Sequence, residues 1–192
     1  LEPNTVFFKR PPPDIPDDDL AWEIQRECHA RLEQAGYSQY EISAFSKPQH
    51  QCRHNLNYWS FGDYLAAGAG AHGKITRAGA AACRYNKPAN PLVYMEWAET
   101  ERSRLAMQPI EEKDMVFEFM LNKLRLSEGF TESEFTSRAG QDIGQVEPTL
   151  VQAEADGLLE RQGQDRWRPT PDGFRLLNDL QARFLHPVRG QK

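Results

Sequence analysis

The sequence predicts an α+β chain in two parts, a mixed first part over residues 1–107 and a small, mainly helical second part over residues 108–192. Three observations predict it. The middle of the first part is aromatic-rich and then glycine-rich, with little helical period. A clear helical stripe begins only at Val116, with Phe117, Met120, Leu121 and Leu124 on it. Beyond that stripe, helix signals alternate with turn signals and one hairpin pattern appears.

Taken in order, Phe7 to Asp19 reads as loop, because Pro11-Pro12-Pro13 lacks backbone donors and favours an extended backbone. Asp17, Asp18 and Asp19 then offer an N-cap and favourable charge for a helix from about Leu20 to Ala35, which repeats Leu20, Ile24, Cys28 and Leu32 along one face. Gly36 is placed to end it. Tyr40 to Phe45 alternates and reads as one strand, closed by Pro48. Gln49 to Gly62 is read as an irregular loop. Asp63 to Gly73 starts as a short strand and passes into a glycine-rich bend; Ile75 to Tyr85 reads as a strand pair or an irregular hairpin, and Pro91 to Met107 as a helix opened by proline.

Pro109 to Glu112 reads as the joint between the parts. Thr131-Glu132-Ser133-Glu134 matches a capping box, starting a helix that ends by Gly140. A third helix spans about Val146 to Asp156. Leu158–Pro169 is a hairpin with its turn at Gln162–Asp165, and a single last helix runs from about Asp172 to Leu185. Three helices, a hairpin and a closing helix is a winged-helix-like order.

Composition narrows function. At 192 residues, 39% hydrophobic and 27% charged, the chain suits a globular protein, and no apolar run is long enough to span a membrane. Its three cysteines, Cys28, Cys52 and Cys83, fit no disulfide framework, and a cytoplasmic location is expected. No closely spaced thiolate set is present that could hold an iron–sulfur cluster. The opening Leu1-Glu2-Pro3-Asn4 reads as the interior of a longer chain. A net charge of -5 disfavours nucleic acid. Residues 113–192 hold 11 Lys plus Arg against 13 Asp plus Glu, and the third helix carries Glu147, Glu154 and Asp156 with no basic residue. Only Trp167, between Arg166 and Arg168, favours a nucleic-acid surface.

Two segments could carry chemistry. The first is His54-Asn55-Leu56-Asn57-Tyr58-Trp59. Imidazole is a common haem-iron ligand, aromatic rings stack on porphyrins, and Asn can orient a polar group. The same residues also suit a surface loop in which Tyr58 and Trp59 pack inward. The second is Gly68-Ala69-Gly70-Ala71-His72-Gly73, whose small residues would let the backbone approach a cofactor or simply form a tight turn. It does not fit the dinucleotide fingerprint. Cys52, His54 and Cys83 match no common zinc spacing, and no metal site is expected.

Together these motifs carry a resemblance. Glu2-Pro3-Asn4-Thr5-Val6-Phe7 with Lys9-Arg10-Pro11-Pro12-Pro13, then Tyr40-Glu41-Ile42-Ser43 with Lys47-Pro48, His54-Asn55-x-x-Tyr58-Trp59 and Gly68-Ala69-Gly70-Ala71-His72-Gly73, resemble segments of the HemW/HemN-type, oxygen-independent coproporphyrinogen III oxidase-like, radical-SAM family. The resemblance covers essentially the whole chain and points to the family's C-terminal portion. It implies the trailing strands and helices of a truncated radical-SAM (β/α)6 barrel, followed by a HemN-type C-terminal domain. It also implies a parent with a [4Fe–4S] cluster and S-adenosylmethionine, held by cysteines upstream of Leu1, so that no catalytic residue lies here and no cofactor is bound by this portion alone. Within the family, the His54-to-Trp59 signature favours a haem chaperone that hands haem to acceptor proteins over an oxidase that decarboxylates coproporphyrinogen III. The expected haem- or substrate-binding residues are His54, Asn55, Tyr58 and Trp59, and the expected cofactor pocket is Gly68, Gly70, Ala71 and His72. These are expected to face a cavity sized for a flat macrocycle. A sheet edge left open by the truncation would favour a homodimer.

Overall fold

The computed structural model describes residues 3–76, 82–99 and 106–185. Contacts divide the chain into two compact units, residues 1–38 with 45–50, and residues 39–44 with 51–192.

In the first unit, Val6–Lys9 forms a short helix (α1) where the sequence predicted loop. Thr5 explains it: its hydroxyl accepts from the Phe8 N–H and supplies the cap. Asp18–Gln34 is the long helix (α2), capped by Asp17, whose carboxylate accepts from the Leu20 N–H. It ends as expected at Gly36, whose positive φ lets Tyr37 donate back to the Leu32 carbonyl. The predicted apolar face of α2 is not buried, however. Leu20, Trp22 and Ile24 are all exposed, and only His29 and Leu32 are half-buried; the His29 ring meets Phe45 edge-on.

The predicted strand Tyr40–Phe45 is instead two, Ser38–Glu41 (β1) and Ala44–Ser46 (β2). Tertiary contacts interrupt it: the Ile42 N–H donates to the Arg125 carbonyl, and the Ile42 carbonyl accepts from Gln39.

In the second unit, Arg53–Trp59 is a helix (α3), a correction to the predicted loop. The predicted strand after Asp63 is only an isolated bridge from Tyr64 to Lys74. His72–Thr76 (β3) and Ala82–Asn86 (β4) pair antiparallel, so the first strand begins within the predicted bend, three residues before the Ile75–Tyr85 segment read as a strand pair or irregular hairpin. Pro91–Glu99 (α4) is shorter than predicted: residues 106 and 107 are not helical, and 100–105 lie outside the described residues. Gln108–Pro109 (β5) adds a third strand beside β4.

The helical stripe becomes Glu112–Lys123 (α5), which buries Met115, Val116, Phe119 and Met120, while Phe117 of the predicted stripe is half-buried and Leu121 is exposed. Phe130–Thr131 (β6) leads into Glu132–Ala139 (α6), whose start is the predicted capping box, Thr131 and Glu134 serving each other's backbone donors. After a 3-10 turn at Ile143–Gln145 comes Glu147–Ala155 (α7), then the hairpin Leu159–Gln162 (β7) and Arg166–Pro169 (β8), in a sheet of order β6-β8-β7. The last helix is broken. Pro171–Arg175 (α8) and Leu177–Ala182 (α9) are separated by Leu176, whose φ of -105 and ψ of 34 depart from helix.

The core sits among these elements. The Phe119 ring is fully buried and meets Phe130 at 5.4 Å, Phe135 at 5.3 Å and Phe61 at 6.2 Å between centroids, all T-shaped. Trp167 is buried from β8. Gly129 has a φ of 61, and a Cβ there would overlap the Trp167 carbonyl, so the strand entering α6 can pass Trp167 only as glycine.

Phe119→Ala is expected to cost about 3–5 kcal/mol of unfolding free energy, the usual range for truncating a fully buried aromatic. Urea denaturation followed by far-UV circular dichroism measures it.

Candidate functional site

α3 carries the first candidate segment. Its residues have modest helix propensity, and Cys52 at its N-cap provides no side-chain cap. Long-range contacts hold it instead. At its start, the Tyr40 hydroxyl accepts from the Cys52 N–H at 3.3 Å and from Asn55 Nδ2 at 3.4 Å. At its end, the Asn57 side chain donates to the Asp63 carbonyl at 2.8 Å, while its own carbonyl accepts from the Gly62 N–H.

Along α3, His54 is exposed, and Asn55, Tyr58 and Trp59 are half-buried. The His54 and Tyr58 rings, one turn apart, lie 6.5 Å between centroids. Tyr58 also meets Trp59 edge-on at 4.7 Å and Tyr64 at 4.8 Å. The Arg125 guanidinium lies 4.2 Å from the Trp59 ring centroid. Burial, together with its hydrogen bond to Tyr58, pushes the Tyr64 phenol up to about 12, so it stays protonated at any physiological pH.

The second segment is a bend that folds on its own backbone. The Gly70 N–H donates to Pro88, the Ala71 N–H to Gly68, and the Ala71 carbonyl accepts from Lys87. Gly68 and His72 are exposed, whereas Gly70 and Ala71 are half-buried. His72 opens β3 opposite Asn86. Gly73 has a packing role: a Cβ there would overlap the Tyr85 ring, whose hydroxyl accepts from the Ala66 N–H.

The cavity beside α3 has a volume of about 180 Å³ and is lined by Tyr40, Gln51, Leu56, Leu126 and Glu128. None of the eight expected site residues lines it, and it is smaller than the roughly 300 Å³ at which drug-sized ligand pockets begin. His54 therefore presents its imidazole on a surface, not into this hollow.

Sequence reasoning missed a buried charged group that binds the segment following α3. Lys74 is buried, donates to the Phe61 carbonyl at 2.8 Å and to Asp63 at 3.3 Å, and stands 4.0 Å from the Phe61 ring centroid. Burial lowers the Lys74 ammonium, and Asp63 offsets part of that. For Asp63, partial burial pushes the carboxyl up, but bonds from the Thr76 N–H, the Thr76 hydroxyl and Lys74 outweigh it and hold it below the usual carboxylate range. Alternation through Gly73-Lys74-Ile75 gives no sign of a buried lysine. Glu41 and Arg125 each bury one unpartnered atom, Oε2 and Nε.

In the hairpin, Trp167 is buried, Arg161 and Arg168 pair with Glu132 and Glu160, and Arg166 donates to the Glu128 carbonyl. Among the described residues, no group of three or more His, Cys, Asp or Glu side chains could hold a metal ion. None of the described helices is long and apolar enough to cross a membrane.

Comparison with known proteins follows the same lines. Residues 110–176 match the family model of the HemN C-terminal domain. Heme chaperone HemW of Escherichia coli strain K12 is 42% identical over 185 residues, covering 96% of this chain and 47% of the relative. Its Haemophilus influenzae counterpart is 39% identical, covering 96% and 47%, and that of Mycobacterium tuberculosis strain H37Rv is 34% identical, covering 88% and 40%. The chain spans about half the length of these relatives. Among solved structures, coproporphyrinogen III oxidase (HemN) from Escherichia coli, described as a radical SAM enzyme, superposes with a TM-score of 0.64 at 16% identity, over 90% of this chain and 42% of that one. That likeness concerns the mixed helix-and-strand fold alone.

Asp63→Asn should flatten the acid limb of stability. The folded-state pKa of Asp63 lies below its unfolded value, so its contribution is present above the unfolded pKa and is lost as pH falls through the folded one. The urea midpoint of the parent should therefore approach that of the variant as pH drops from 6 toward 2; a constant gap between them would remove Asp63 from the account. On sequence and domain match together, the chain belongs to the HemW/HemN-type family.

Proposed function

We propose that the protein binds haem at the exposed face of α3 and passes it to haem-accepting proteins. The observation that carries this reading is the exposed His54 imidazole, one helical turn from Tyr58, whose ring in turn meets those of Trp59 and Tyr64. His54 would ligate iron, Tyr58 and Trp59 would offer apolar contact to the macrocycle, and Asn55 would orient a polar group. The bend at Gly68, Gly70, Ala71 and His72 would form the rim of the cofactor pocket. Its Gly70 and Ala71 amides already pair internally, which leaves shape and the His72 side chain as its contribution. Relatives named heme chaperone match nearly the whole chain and support the reading.

When bound, haem would supply an iron centre that a side chain can ligate. The side chains on this chain supply the ligand, the contact surface and the orientation. A [4Fe–4S] cluster and S-adenosylmethionine would belong to the whole protein. Cys28 and Cys52 are exposed, Cys83 is half-buried, and the described residues do not fit a three-thiolate site. On the same reading, residues 1–107 are the trailing portion of a (β/α)6 barrel and residues 108–192 a winged-helix-like domain, for which α5, α6, α7 and the β6-β8-β7 sheet provide the elements. Such a domain would serve docking rather than nucleic acid, because α7 is acidic and Trp167 is buried. The oxidase alternative is supported only by fold likeness at 16% identity, which carries no chemistry.

Titration with ferric haem, followed by the Soret band, tests the reading. His54→Ala should weaken binding roughly tenfold or more, a loss of about 1.4 kcal/mol. Equal affinity in parent and variant would end it.

A further inference from the structure

The first turn of α3 has a partner that the motif itself does not contain. α3 starts without a side-chain cap, and its residues do not favour helix on their own. What stands at its start is the hydroxyl of Tyr40, twelve and fifteen residues upstream of the two groups it binds, the Cys52 N–H and Asn55 Nδ2. Tyr40 is itself fixed. Its ring is buried, and its backbone carbonyl accepts from both the N–H and the hydroxyl of Ser127. Ser127 follows Leu126, which with Tyr40 and Leu56 lines the 180 Å³ cavity under the helix. A phenol carried on a buried ring has few positions open to it, so it defines where Asn55 and the adjacent His54 stand.

We infer that Tyr40 is a positioning residue: its hydroxyl orients Asn55 and the first turn of α3, and thereby sets the direction in which His54 is presented to its ligand. The inference rests on the proposed haem reading. It assigns Tyr40 a place in the site although Tyr40 touches no ligand. It also explains why a tyrosine stands there, since phenylalanine would fill the same volume.

Tyr40→Phe keeps the ring and removes the acceptor. With ferric haem as the probe on the intact protein, Tyr40→Phe should lower affinity about three- to tenfold, the range expected of one ordinary hydrogen bond. It should also shift the Soret maximum, a signature of altered ligation that a uniform loss of stability would leave in place. Asn55→Ala removes the same bond from its other end, so the double variant should bind no worse than the weaker single one. Should Tyr40→Phe fail to fold, Asn55→Ala alone must still show the spectral shift.

If His54→Ala weakens haem binding while Tyr40→Phe binds and absorbs like the parent, or the two losses simply add, the positioning role is wrong and the haem reading stands. If His54→Ala binds like the parent, both fall together.

Discussion

The second unit is organised around Phe61, because that residue joins its aromatic core to the end of α3. Its ring packs edge-on against Phe119, at the centre of the phenylalanine cluster. Its carbonyl and its ring both engage the buried ammonium of Lys74. Its backbone takes a left-handed φ of 57, uncommon for a bulky side chain and tolerated only where surrounding contacts dictate it. That turn ends α3 and sends the chain into Gly62 and Asp63, where Asp63 binds both Lys74 and Thr76 of β3. Helix end, sheet and core therefore meet within three residues. A buried lysine is costly unless paired and hydrogen-bonded, and here one cation has a carbonyl, a carboxylate and an aromatic face.

This arrangement explains which features were legible in the sequence. The capping box at Thr131 and Glu134, the stop at Gly140, the stripe on α5 and the hairpin all arise from residues within a few positions of one another, so local chemistry reveals them. α3 was hidden for the opposite reason. His, Asn, Tyr and Trp do not favour helix, and the groups that hold it, Tyr40 at one end and Asp63 at the other, lie outside it. The break at Ile42 has the same origin, a donation to Arg125 more than eighty residues later in the chain. At the end of the chain, α8 must bring Gly173 so close to the Leu158 carbonyl that a Cβ would overlap it, a demand of tertiary packing that periodicity does not register.

On the proposed reading, the sequence reveals the residue types of the site but not their setting. His54, Tyr58 and Trp59 do lie on one short element, and their chemistry follows from residue type. Their presentation does not, because it depends on Tyr40, Arg125 and Tyr64 packing around them. Hydrophobic pattern also overstated burial in α2, whose periodic leucine and isoleucine remain exposed. Periodicity reports a face that can be covered, and only contacts decide whether it is.

A surface imidazole one helical turn from an aromatic ring, rather than a deep pocket, bears on the kind of binding the proposed function needs. A ligand sealed in a cavity gains affinity from complete desolvation but leaves slowly, and differences in affinity between related sites reside mostly in the dissociation rate. A chaperone has to release what it carries. The hollow beside α3 is too small for a macrocycle, and His54 is outside it, so on the proposed reading the ring would be held by one ligand and an edge of aromatic surface. Such a site depends on orientation more than on enclosure. That makes the fixed phenol of Tyr40, rather than further apolar contact, the feature on which the usefulness of His54 turns.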